Sequence, residues 1–187
     1  MLNCKTKTTV LSNYEQRGVT VIETMVVIAL LAILTSMALP ALQEMMINHR
    51  LEGKAREYVA NMNWARALAV SSNQAVNLRI AADESASCYV VFHGPVDDCS
   101  CHSNGATCTT PGNELLAVVL PHSDGVGVST RTPSARTRIS PTQGTISPTL
   151  TAIFTGSNGK AIHNISNILG RTRSCTAEEA HFGFRIC

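Results

Sequence analysis

The sequence predicts an α+β protein: one long N-terminal helix, membrane-spanning in its first half, whose second half packs on a β-rich head. Three observations carry this. Residues 19–42 form an apolar run in which Glu23 is the one charge. Residues 45–72 hold no Pro and one Gly (Gly53), and Leu51, Ala55, Tyr58, Met62, Ala65 and Ala69 recur at steps of four and three, the stripe of a helix with one buried face. After Ser72 the apolar spacing becomes strand-like and turn residues multiply.

Four segments follow from this pattern: a leader at 1–18, a spanning helix at 19–42, its amphipathic continuation at 43–72 and a β-rich head at 73–187. As a helix, residues 19–42 measure ~36 Å, enough to cross a hydrocarbon core of ~30 Å. Lys5, Lys7 and Arg17 precede the run, so the positive-inside bias keeps the leader cytoplasmic and sends the head outward. Glu23 is the anomaly, because a carboxylate in a membrane helix costs on the order of 2.5–3.5 kcal/mol and therefore calls for a partner. It either stays wet near the interface beside its own N-terminal amine or pairs with the amine of a neighbouring subunit; the second reading is preferred. Pro40 predicts a kink or local melting. Trp64 is expected to anchor the core beneath the head.

The segment Arg17-Gly18-Val19-Thr20-Val21-Ile22-Glu23, with Pro40 in register downstream, resembles the type III signal of type IV prepilins and pseudopilins. In a secretory signal the apolar stretch precedes the cleavage site and is lost. Here Gly18 lies before it, so the helix stays on the mature protein. The resemblance implies cleavage after Gly18 and N-methylation of Val19 by a prepilin peptidase, with Glu23 as the assembly carboxylate. Val19 departs from the usual Phe at the first mature position.

Beyond the helix, 75–81 and 88–93 read as strands flanking a turn at 83–87, followed by a Cys-rich loop at 94–113 and a buried strand at 114–120. Residues 126–130 form a further strand. Residues 129–151 include 11 Ser or Thr among 23, with three prolines, and read as a long loop or edge, with weak strands at best. Residues 151–155 and 161–165 flank Asn158-Gly159, the strongest hairpin signal in the chain. Residues 181–186 are a candidate final strand. The stretch 61–79, with Ala65-Arg66-Ala67 closing the helix before a strand of alternate apolar residues, resembles the GspH/FimT family of minor pseudopilins and minor pilins. The likeness returns at Gly159 and at Gly170-Arg171-Thr172-Arg173. It implies a type IV pilin-like fold, a β-rich head packed on the long helix, and partnership with major and minor pilins or pseudopilins.

The net charge of +2 hides a division. Residues 19–120 carry five Lys/Arg against nine Asp/Glu, and residues 121–187 carry seven against three, a balance of −4 and then +4. The basic C-terminal end is a candidate polyanion surface. Of seven cysteines, Cys4 lies in the leader, and Cys88, Cys99, Cys101, Cys108, Cys175 and Cys187 read as disulfides in an oxidising space such as a bacterial periplasm. Six cysteines allow 15 pairings. Cys175 with Cys187 is the expected C-terminal pair, the other four stapling the middle of the head. Cys99, Cys101, His102 and Cys108 cluster with His93 nearby, but they lack paired Cys-x-x-Cys spacing, and oxidising surroundings disfavour thiolates. Neither metal nor cofactor is expected.

No enzyme is expected either. His122-Ser123-Asp124 places three catalytic types side by side, where they cannot converge on one atom. Gly156-Ser-Asn-Gly-Lys160 is too short for a phosphate loop, lacks the Ser/Thr that would bind magnesium, and reads as a hairpin turn. The sharpest candidate is Gly170-Arg171-Thr172-Arg173. Arginines at i and i+2 of an extended segment point the same way, roughly 6.5–7 Å apart, near the spacing of successive phosphates. The motif resembles the Gly-Arg-x-Arg element by which FimT-like minor pilins bind DNA during uptake. Arg131, Arg136, Arg138 and Lys160 are candidates to extend the patch. The sequence therefore predicts an inner-membrane minor pilin of the FimT kind, with DNA as a partner in natural transformation. The alternative is a GspH-like minor pseudopilin of a type II secretion system, without a DNA role.

Overall fold

The computed structural model describes residues 18–131, 135–177 and 183–187; the leader, apart from Gly18, lies outside them. Helix α1 (Val21–Ser72) is continuous through Pro40, so the expected local melting does not occur. The chain divides into two compact units, one ending at Ala41 and one spanning Leu42–Cys187.

Among its described residues the first unit is three non-helical residues, 18–20, followed by helix. Its side chains are exposed, and it includes the window of mean hydropathy 2.5 that marks a membrane-length span. Thr20 caps it, its Oγ1 accepting the Glu23 N–H at 3.3 Å. The hydroxyls of Thr24, Thr35 and Ser36 donate back to carbonyls one turn earlier, leaving no side-chain hydroxyl among them seeking water in an apolar medium. Glu23 stands in the first turn, where the helix dipole favours a carboxylate.

In the second unit α1 buries Leu51, Ala55, Tyr58, Met62, Ala65 and Ala69, the stripe read from the sequence. Trp64 is a correction: it is 44% exposed. Two residues beyond Met62 is ~200° around a helix, so Trp64 points away from the face that Met62 buries. The aromatic anchor is Tyr58. Its ring meets Tyr89 edge-on at 5.3 Å and Phe154 at 5.5 Å.

Those two partners belong to different sheets. One sheet orders β5 (Glu114–Pro121), β2 (Ala86–His93), β1 (Val76–Ala82), β7 (Arg136–Ile139) and β8 (Ile146–Ser147). The other orders β11 (Thr172–Thr176), β10 (Ala161–Ser166), β9 (Leu150–Gly156) and β6 (Val126–Thr130). All named pairings are antiparallel. Two polar links tie α1 to both sheets: Asn61 Nδ2 donates to Tyr89 Oη at 2.8 Å, and the fully buried Asn164 donates to the Ala55 carbonyl at 3.1 Å.

The Cys-rich segment is not the loop its composition suggests. It folds into the hairpin β3 (Cys99–His102) and β4 (Gly105–Cys108). Cys88–Cys101 staples it to β2 of the five-stranded sheet and Cys99–Cys108 closes the hairpin on itself, and together with Val90 and Phe92 these cysteines form a second small core. Within 129–151 the short strands β7 and β8 form, β8 at the sheet edge, and β7 is held because Thr137 and Ile139 bury against Leu78 and Val76 of β1. Strand β5 is an edge strand, half-buried along most of its length, and not the buried strand expected. Of the final strand at 181–186, positions 181–182 lie outside the described residues. Ile186 makes one isolated bridge to Thr176, and Cys175–Cys187 ties this end down.

Candidate functional site: an arginine-lined cleft on the four-stranded sheet

Gly170, Arg171 and Arg173 come together, and the reason is a tight turn between β10 and β11. The Gly170 N–H donates to the Asn167 carbonyl at 3.0 Å, and the Asn167 N–H donates to the Arg171 carbonyl at 3.0 Å. Asn167 Oδ1 also accepts the Arg171 N–H at 2.9 Å. Gly170 has φ +81°, and a Cβ there would fall on the Gly144 carbonyl oxygen and 2.6 Å from Arg66 Nε. Only glycine meets both demands.

Both arginines are exposed and, with Ile165 and Asn167, line one shallow cleft of about 300 Å³. Among the described residues neither guanidinium has a carboxylate partner. Register puts Arg173 opposite Ile165, and Ile165 opposite Thr151. Strand β6 pairs Thr130 with Ala152, so Arg131, the next residue, arrives at the same row. Its charge acts on His163 of β10, whose pKa is lowered first by burial and then by Arg131. Arg131, Arg171 and Arg173 thus share one face.

The other proposed members of the patch do not join it. Lys160 lies just before β10, whereas Arg171 follows the turn at the far end of that strand, roughly 20 Å away, and Lys160 is paired with Glu44 at 2.8 Å. Arg136 and Arg138 belong to the five-stranded sheet, on β7, where Arg136 is ion-paired with Asp97 and Arg138 stands across from Asn77 and Ser147. None of the three lines the cleft of Arg171 and Arg173: Lys160 sits at the other end of β10, and Arg136 and Arg138 stand on the other sheet. Arg66 supports the site without belonging to the motif. Its Nε donates to the Gly144 carbonyl at 3.0 Å and backs the Gly170 turn. Its one signal was the Ala65-Arg66-Ala67 pattern at the helix end.

Other candidates fare differently. His122, Ser123 and Asp124 form an exposed 3-10 turn, and the His122 ring meets the Glu84 carbonyl at 3.1 Å rather than its neighbours. Gly156, Ser157, Asn158 and Gly159 make a hairpin turn, with the Gly159 N–H on the Gly156 carbonyl at 2.9 Å. Asp98, Cys99 and Cys108 bring ligand-type atoms together, but the sulfurs are bonded to each other and Asp98 is spent on Thr110 and Asn113. No thiolate remains there for a metal.

A membrane-length N-terminal helix, a methylation-type leader junction and a disulfide-stapled head of two sheets define a subunit of the type IV pilin class. The model described as type II transport protein GspH matches residues 54–168, more than half the chain, and the prokaryotic N-terminal methylation motif matches residues 14–39. The chain belongs to the GspH family. It is a minor pilin or pseudopilin, of the kind that is processed by a peptidase and assembles with other pilins from the membrane.

Among solved structures, the type IV minor pilin FimU of Pseudomonas aeruginosa is similar with a TM-score of 0.50 and 14% identity, over 67% of this chain and 87% of that one. The minor pseudopilin EpsH from the type 2 secretion system of Vibrio cholerae has a TM-score of 0.47 and 12% identity, over 68% and 98%. At such identities FimU attests the fold alone. No curated protein sequence matched the chain.

Proposed function

We propose that this protein is a FimT-like minor pilin whose head binds DNA without sequence preference for uptake in natural transformation. The carrying observation is the pair Arg171 and Arg173, exposed on one cleft with no acid partner among the described residues. Guanidinium forks suit phosphate oxygens, and unpaired ones are available to them. In this reading the chain inserts in the bacterial inner membrane with its N-terminus cytoplasmic and its head periplasmic. Prepilin peptidase cleaves after Gly18 and methylates Val19, and Glu23 pairs with a neighbouring subunit's amine in the pilus.

DNA binding by the chain in detergent micelles, titrated with salt, tests this. Two phosphate contacts give a log–log slope of roughly −1.4 on single strands and −1.8 on duplex, and Arg131 as a third makes it roughly −2.1 to −2.7. Arg171→Ala with Arg173→Ala reduces the slope by the two-contact amount. The family match to GspH favours a second reading, a pseudopilin of a type II secretion system. A head that ignores DNA at low salt leaves that reading standing.

A further inference from the structure

Two turns of the same build flank β10, and they differ at their tips. In the turn 156–159 the Gly159 N–H donates to the Gly156 carbonyl and the Gly156 N–H to the Lys160 carbonyl. In the turn 167–170 the Gly170 N–H donates to Asn167 and the Asn167 N–H to Arg171 in the same pattern. The closing glycines share φ, at +80° and +81°. The first tip is Ser157 and Asn158, as an exposed turn favours. The second is Ile168 and Leu169, which are 59% and 67% exposed. Nothing in the geometry of such a turn calls for two large apolar side chains.

Nor can the tip fold inward. The Ile168 carbonyl accepts the Ile146 N–H at 2.9 Å, and Gly170 is pressed against Gly144 and Arg66. The backbone is clamped on both sides while the side chains stay in water. Immediately beyond the tip, Arg171 and Arg173 run along one strand beside a shared cleft.

We propose that Ile168 and Leu169 form a wedge that contacts DNA bases, and that the site selects DNA whose bases are already unstacked. This rests on the DNA-binding reading and extends it from phosphates to bases. Apolar side chains that enter a base step beside arginines on the phosphates must overcome stacking energy of a few kcal/mol in intact duplex. That cost is smallest where a base is mismatched or single-stranded. A lipid surface is the less suitable occupant. Arg171 and Arg173 stand two residues apart in an extended segment and line one cleft, at about the spacing of successive backbone phosphates.

The test uses the chain in detergent micelles and three labelled oligonucleotides of one sequence: intact duplex, duplex with a central mismatched bulge, and single strand. The wild type is expected to bind the bulged and single-stranded probes on the order of tenfold tighter than intact duplex. Ile168→Ser with Leu169→Ser brings all three to the duplex affinity and leaves the salt slope on each probe unchanged. Arg171→Ala with Arg173→Ala weakens all three together. Equal binding of the three probes by wild type, or a preference that survives in the Ile168 and Leu169 variant, overturns the wedge and leaves the DNA reading intact. Absence of any DNA binding by the wild type removes both. Wild-type binding to phosphatidylglycerol vesicles that the turn variant loses, with its DNA preference unchanged, overturns the wedge in favour of a lipid contact. Both substitutions are at exposed positions, and non-reducing mass analysis confirms that the three disulfides remain.

Discussion

Gly170→Ala and Gly159→Ala form a matched pair that measures how firmly the arginine turn is held. The two positions share a turn hydrogen-bond pattern and differ by one degree in φ. The conformational term is therefore common to both. Forcing alanine into the left-handed region costs ~1–2 kcal/mol, partly offset by the ~0.4–1 kcal/mol that alanine removes from unfolded-chain entropy, so about 1 kcal/mol remains. At Gly159 nothing lies within 4 Å of the added Cβ, so that term is the whole effect. At Gly170 the Cβ meets a backbone carbonyl oxygen and the Arg66 side chain, and relieving this costs a further ~1–3 kcal/mol. Losing the Arg66–Gly144 hydrogen bond adds ~0.5–1.5 kcal/mol. The expected destabilisation is about 1 kcal/mol at Gly159 and roughly 2.5–5.5 kcal/mol at Gly170. For a head of 146 residues (42–187), each kcal/mol moves Tm by roughly 2–4 °C, so thermal unfolding followed by circular dichroism resolves the difference. Equal shifts in the two variants refute the close packing of this turn against Gly144 and Arg66.

Four further outcomes are expected. Replacing Gly18 with a bulky residue blocks processing and leaves a precursor ~2 kDa heavier on gels, since ~18 residues stay attached; normal maturation removes the assignment of the cleavage site. Glu23→Ala leaves membrane insertion intact and lowers recovery of the subunit in sheared filaments; undiminished recovery reduces Glu23 to a first-turn residue favoured by the helix dipole. His163 is held neutral by burial and Arg131, its folded pKa lying below the ordinary value. Unfolded histidine protonates near pH ~6.5, so stability is undiminished above that pH. It falls as pH drops toward the lowered folded value, and His163→Gln flattens that part of a pH–stability profile unless another group is responsible. Cys175→Ala with Cys187→Ala opens a loop with a sequence separation of 12, a loss of about 3 kcal/mol from loop-closure entropy, read by denaturant unfolding.

The long helix, its buried stripe, the break after Ser72 and the 158–159 hairpin were legible in the sequence because each is a local periodicity or turn preference. The leader junction was legible for the same reason, as charge, glycine, apolar run and carboxylate fall in order within a few residues. Trp64 misled because size suggested an anchor, whereas helical phase put it off the stripe and gave that role to Tyr58. Strands β7 and β8 are short and set among Ser, Thr and Pro, and they exist through pairing, β7 with β1 and β8 with β7, rather than through any propensity of their own.

The sequence by itself determined the class of protein and offered the Gly18 junction and the Gly-Arg-x-Arg motif as candidates, because these rest on short-range order along the chain. Only the tertiary structure decided which cysteines join and which arginines share a face. It put Arg136 and Arg138 on the other sheet and Lys160 at the far end of β10, brought Arg131 to the row of Arg173, and set Arg66 behind the turn. Such neighbourhoods depend on strand order and register, which bring residues tens of positions apart within a strand spacing of ~4.8 Å, and no local pattern encodes that choice.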